Sequence, residues 1–226
     1  MEILSGIHQV DGVNANCYIV ARESLTIIDT GMPGSGAKII EYITKDLGRD
    51  PSEISSIILT HAHMDHVGGV MKLKQAAPRA KVAVHSAEAE YFRGKIPIPP
   101  PRGMIGLLTR IMNLVIKQNF FEPDILLTDG DRIDGLVSVH IPGHTPGSLG
   151  LLDEATRTFW GGDILRYDGK ILSEGPKNFT QDIDQEQKSI RRIATLDFDI
   201  LLPGHGIPLR TGAGDTVREF AETLPR

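Results

Sequence analysis

Thr60-His61-Ala62-His63-Met64-Asp65-His66 follows directly on the apolar run Ile57-Ile58-Leu59. The run has the length and β-branched content of a short buried strand. After it, three imidazoles and a carboxylate crowd into one loop. Two residues apart at a strand end, His61 and His63 point to one side. Asp65 and His66 come where the chain turns into a helix, read over 67–77 and ended by Pro78. Donor groups this close repel and stay wet unless something gathers them, and one or two divalent cations do so. Gly68-Gly69 lets backbone approach closely behind them.

Further along, the same device recurs. Ile141-Pro142-Gly143-His144, Trp160-Gly161-Gly162-Asp163 and Leu202-Pro203-Gly204-His205 are apolar runs that end in a glycine turn carrying one ligand-type residue. The recurrence predicts that all of them meet at one edge of a layered β structure. Ile27-Ile28-Asp29 ends another strand with an acid. Of the 8 histidines, His8, His85 and His140 read as strand or loop residues. Cys17 reads as a buried thiol, since free cysteine behaves as a small hydrophobe.

Strands are expected over 3–10, 17–21, 25–28 and 81–84 in the first half, with helices over 34–47 and 86–91. The second half carries strands over 125–127, 136–141, 150–152, 158–160 and 200–202, with helices over 182–196 and 215–223. Two groups of strands, each with helices, predict an α/β fold of two sheets with helices outside. No Ser/Gly linker divides the chain, so residues 1–226 are expected to form one domain. An apolar, Pro-rich insertion or lid interrupts it at about 95–123. Its start, Ile96-Pro97-Ile98-Pro99-Pro100-Pro101, is stiff and extended, and a helix apolar on most of its circumference is expected over 103–116. Met104 and Leu108 are candidate substrate-facing residues there, and the segment is also a candidate homodimer contact.

The 226 residues are 40% hydrophobic and 23% charged, which excludes global disorder. A net charge of −5 argues against a nucleic-acid protein that works through a broad basic surface. The single cysteine excludes an internal disulfide and a Cys-only metal site. No signal-peptide pattern and no run of ~18 apolar residues is seen, so a cytoplasmic protein without a spanning segment is expected.

The ordered set His-x-His-x-Asp-His, then His144, Asp163 and His205, resembles the metallo-β-lactamase-fold hydrolase superfamily. The resemblance runs from Asp29-Thr30-Gly31 to Pro203-Gly204-His205-Gly206. It implies an αββα sandwich of two mixed β-sheets with helices on both outer faces and a two-metal site at the sheet edges. In that pattern His61, His63 and His144 hold one ion, and Asp65, His66 and His205 hold the second. Asp163 bridges them, and Asp29 supports the ligands from behind. Zinc suits such donors, and iron or manganese is also accommodated. The implied reaction is attack of a metal-bridging hydroxide on a small ester-like substrate, with Asp65 and Asp163 in catalytic positions. The glyoxalase II-like branch implies a thioester. Lactonases of the superfamily carry a Tyr shortly after the bridging Asp, which makes Tyr167 a candidate substrate-facing residue. Other outcomes within the same fold are a mononuclear iron persulfide dioxygenase, a phosphodiesterase or a β-lactamase.

Overall fold

The computed structural model describes residues 1–104, 106 and 120–225. Its strands form where adjacent apolar residues can be buried on opposite faces. Seven of them, β1 (Glu2–Leu4), β2 (Ile7–Val10), β3 (Cys17–Ala21), β4 (Leu25–Ile28), β5 (Ile54–Ile58), β6 (Lys81–His85) and β7 (Ile125–Leu127), make a sheet in chain order. It is antiparallel from β1 to β4 and parallel from β4 to β7. The second sheet contains β8 (Arg132–Ile133), β9 (Leu136–His140), β10 (Leu149–Asp153), β11 (Thr158–Gly162) and, parallel to β11, a late strand at Ile200–Pro203. A separate hairpin pairs β12 (Leu165–Tyr167) with β13 (Leu172–Glu174), which makes the late strand β14.

Three apolar layers hold these elements together. Tyr18, Ile28, Ile58, Leu151, Trp160 and Leu202 fill the space between the two sheets. Their sequence neighbours Ile19, Ile27 and Ile57 pack under α1 (Ser35–Lys45) and the helices α2 (Met64–Val67), α3 (Val70–Ala76) and α4 (Ala89–Phe92) cover that side. On the far side Leu152, Phe159 and Leu201 pack with residues of α5 (Ile183–Ile193) and α6 (Ala213–Thr223). Strand residues alternate between faces, so a sheet covered on both sides reads as an unbroken apolar run. The result is the sandwich of two mixed sheets with helices on both outer faces.

The topology brings the ligand-type residues to one edge. β4 and β5 run parallel with Ile28 opposite Ile58, so Asp29 and the Thr60–His66 loop leave side by side. β11 and β14 are also parallel, with Gly162 opposite Pro203, so Asp163 and His205 leave together. The sheets are laced at this end: Leu149 N–H donates to Thr60 O at 2.8 Å, and the Tyr18 hydroxyl donates to Pro203 O at 2.7 Å.

Some local expectations shift. The strand expected over 3–10 breaks at Gly6, whose φ of 76° is a left-handed conformation open to glycine. The helix expected over 67–77 starts at Met64 and divides at Gly68-Gly69. Those glycines have ordinary helical φ; what they need is space, because a Cβ on Gly69 would lie 2.4 Å from Thr30 O. The β12–β13 hairpin is a segment the sequence reading leaves unassigned. Leu108 and most of the helix expected over 103–116 lie outside the described residues. Among the described residues no helix is long and apolar enough to cross a membrane.

Candidate metal centre

His63 is extended and immediately precedes α2, so the loop turns inward just where Asp65 and His66 follow. His63 Nδ1 lies 3.0 Å from both His61 Nε2 and His144 Nε2. Beside this triad, His205 Nε2 lies 3.0 Å from Asp65 Oδ2, and His66 Nε2 lies 3.9 Å from it. Asp163 sits between the two groups, with Oδ1 3.3 Å from His66 Nε2 and Oδ2 3.7 Å from His144 Nε2 and 3.5 Å from His205 Nε2. All seven side chains singled out as ligands therefore converge. Close backbone approach makes room for them: a Cβ on Gly204 would lie 2.4 Å from Asp163 Oδ1.

Behind the ligands, Asp29 acts as a bracket. It is 2% exposed and adopts a left-handed φ of 57°, a conformation an Asp tolerates at some cost. Its carboxylate accepts from Thr60 N–H at 2.8 Å, from the Thr60 hydroxyl at 2.8 Å and from His66 Nδ1–H at 2.8 Å. With its own proton given to Asp29, Thr60 Oγ1 can only accept from His61 Nδ1–H, 3.0 Å away. Both rings thus turn Nε2 toward the centre. On the opposite side, His144 Nδ1 lies 3.4 Å from Thr180 Oγ1, whose hydroxyl has Pro176 O at 3.3 Å and Glu186 Oε1 at 3.4 Å in reach.

Burial lowers the pKa of His61 well below the ordinary value, of His63 to about 4 and of His144 to about 3, so these rings are neutral donors at pH 7. Burial acts in the same sense on His66, but Asp163 and Asp29 overcome it and hold its pKa well above the usual range. Burial raises Asp65, yet the hydrogen bond from His205 and the charge of His66 prevail and keep it low. A dipositive ion fits this set. His66 Nε2 and Asp163 Oδ1 are fully buried, lie 3.3 Å apart and still lack any hydrogen-bond partner among the described residues. Two such atoms facing each other in a dry place fit a cation placed between them.

Several residues of the site escape sequence reasoning. Glu88, 1% exposed, accepts from Ala62 N–H at 2.8 Å and Gly147 N–H at 3.0 Å, and so clamps the first ligand loop to the His144 loop. Arg166 Nη2 lies 3.4 Å from Asp163 Oδ2. A cleft of about 490 Å³ opens over the cluster, lined by His63, Asp65, Asp163, His205 and Arg166 with Met64, Phe179 and the Ile98–Pro101 stretch. The Pro-rich segment is thus a wall of the cleft, tied down where Arg102 N–H donates to Asn178 O at 2.7 Å. Tyr167 is not brought there: it packs against the outer core of the second sheet, while Arg166 takes the cleft face. Met104 is 80% exposed and is not among the cleft's lining residues, and Leu108 is outside the described residues. His85 and His140 stack on each other with ring centroids 3.9 Å apart, away from the ligand groups.

Known proteins resemble this chain in sequence and in fold. The family model of the metallo-beta-lactamase superfamily matches residues 10–205. The uncharacterized protein YobT of Bacillus subtilis is 33% identical over 205 residues, covering 87% of this chain and 84% of its own. Hydroxyacylglutathione hydrolase GloC of Haemophilus influenzae is 28% identical over 204 residues, covering 87% and 88%. The solved structure of TTHA1623 in a di-iron-bound form superposes with a TM-score of 0.65 at 25% identity, covering 97% of this chain and 98% of that one. The chain belongs to the metallo-beta-lactamase superfamily.

Proposed function

We propose that the protein is a dinuclear metal-dependent hydrolase of a small ester-like substrate, a thioester or a lactone. The observation that carries this reading is the convergence of two donor triads on the carboxylate of Asp163, whose Oδ2 faces His144 and His205 and whose partnerless Oδ1 faces His66. His61, His63 and His144 would hold one ion, Asp65, His66 and His205 the other, and Asp163 both. When bound, such ions supply Lewis acidity and bring the pKa of water toward neutrality.

The chain's own residues do the positioning. Asp29 and Thr60 fix the His61 and His66 rings with Nε2 inward. Asp65 stays ionised and faces the cleft, where it can accept a hydrogen bond from a water and turn a lone pair of that water toward a bound ester. The apolar walls formed by Met64, Phe179 and Pro99 to Pro101 suit an acyl chain or lactone ring. The thioester alternative draws support from the relative named as a hydroxyacylglutathione hydrolase. The presence of the Asp65, His66 and His205 triad favours two ions over the single iron of a persulfide dioxygenase.

The test is elemental analysis of the protein as purified, followed by a panel of thioesters, lactones, phosphodiesters and β-lactams. Two zinc or iron ions per chain with turnover of a thioester or lactone is the expected result. One iron per chain with oxygen consumption on a persulfide overturns it.

A further inference from the structure

We propose that Arg166 receives a negatively charged group of the substrate, so that the preferred ester carries a carboxylate or phosphate besides its scissile bond. This rests on the hydrolase reading above. Arg166 is the middle residue of β12, whose neighbours Leu165 and Tyr167 pack on the outer core and turn the guanidinium toward the cleft. A guanidinium is a permanent cation with five donors, and its flat fork matches a carboxylate or phosphate. Here that capacity is unused. One nitrogen reaches Asp163 Oδ2 at a long 3.4 Å, and the buried Nε meets no acceptor among the described residues.

Asp163 is a poor counter-ion for it. Its Oδ2 already faces His144 and His205, and its Oδ1 faces His66. Dipositive ions held by those residues would add positive charge on the same side of the cleft. Nearby Pro99, Pro100 and Phe179 keep the surroundings apolar, which strengthens the attraction of a fixed cation for an incoming anion. The surplus positive charge is complementary to a charge that arrives with the substrate.

The alternative is that Arg166 only steadies Asp163, and the two differ in selectivity. The experiment compares S-succinyl with S-butyryl N-acetylcysteamine, which differ in an acyl carboxylate, and S-butyryl pantetheine with S-butyryl 4′-phosphopantetheine, which differ in a phosphate at the far end of the thiol arm. A charge-assisted fork of this kind is worth a roughly 10- to 100-fold preference in kcat/KM. The wild-type protein is expected to show that preference in one pair, which tells whether the anion sits on the acyl or the thiol side. Arg166→Gln is expected to bring the ratio near one, and Arg166→Lys to restore part of it. Binding of succinate against butyrate by calorimetry reads the same contact without turnover. If Arg166→Gln lowers both members of each pair equally, or strips metal while the ratio holds, the inference is overturned and the hydrolase stands. If no thioester is turned over, the hydrolase reading suffers, while Arg166-dependent succinate binding would still support the anion site and its absence would refute it.

Discussion

The two donor triads sit side by side but in different surroundings. His61, His63 and His144 are neutral imidazoles, and His61 and His144 are fully buried. Asp65, His66 and His205 include a carboxylate, and two of the three face solvent: the Asp65 side chain is 30% exposed and that of His205 20%. The first triad would leave the charge of a bound ion to be met by Asp163, whereas the second would bring an anion of its own. In the first only His63 reaches the cleft and the other two rings are backed by threonine hydroxyls, whereas two of the three residues of the second open onto the cleft where water and substrate arrive. An ion in the second triad is therefore expected to leave first under graded chelation, since its ligands can be solvated one at a time. Simultaneous loss of both ions would break the comparison.

Asp163 lies between the two triads and faces both, so its replacement is expected to give the largest effect. Asp163→Asn keeps the shape but removes the shared negative charge and turns one acceptor oxygen into a donor aimed at His66 Nε2 or His144 Nε2. A fall in kcat/KM of ~10³-fold or more is expected, with metal content below that of the wild type. Retained metal with full activity would show that the triads work independently.

Next come the brackets behind the ligands, which are unequal. Asp29 accepts three hydrogen bonds at 2.8 Å, whereas the Thr180 hydroxyl meets His144 at 3.4 Å. Asp29→Asn is expected to cost roughly 10- to 100-fold in metal affinity or activity, and Thr180→Val less than that. Measured metal dissociation constants decide the order. A larger effect at Thr180 would place the critical support on the His144 side.

The difference between these brackets also separates what could be read in the sequence from what could not. The seven candidate ligands were legible because each follows an apolar strand, four of them in the loop after Leu59 and three after a glycine turn, so local sequence gives both residue type and place. Asp29 belonged to the same class. Their supporters come from distant parts of the chain: Glu88 is 26 residues from Ala62, and Thr180 is 36 from His144. Some signal existed even so. Glu186 falls on the stripe of α5 that buries Ser189, Ile190 and Ile193, where an acid is out of place unless it has a task. Arg166 needed the β12 strand to be seen first, because its alternation with Leu165 and Tyr167 is what turns it to the cleft. The two-sheet layering was legible for a simpler reason: doubly covered strands read as continuous apolar runs, and this chain has many.

The smallest expected effect concerns the weaker bracket. Burial raises the pKa of Glu186 to about 7, against hydrogen bonds from Thr180 and Gly175 that favour its charged form. In the unfolded chain the same carboxyl titrates near the ordinary 4.5. Between these values the folded protein holds a proton that the unfolded chain has lost, so folding stability falls as pH rises through this window. The contribution is fully present below pH 4.5 and spent above about pH 7. Glu186→Gln carries no titrating proton at that position. Its stability relative to the wild type is therefore expected to increase from pH 5 to pH 8, as read from denaturant midpoints at the two pH values. Parallel profiles for the two proteins would mean that Glu186 is solvated enough to titrate normally, and the His144 side of the centre would then be wetter than its burial implies.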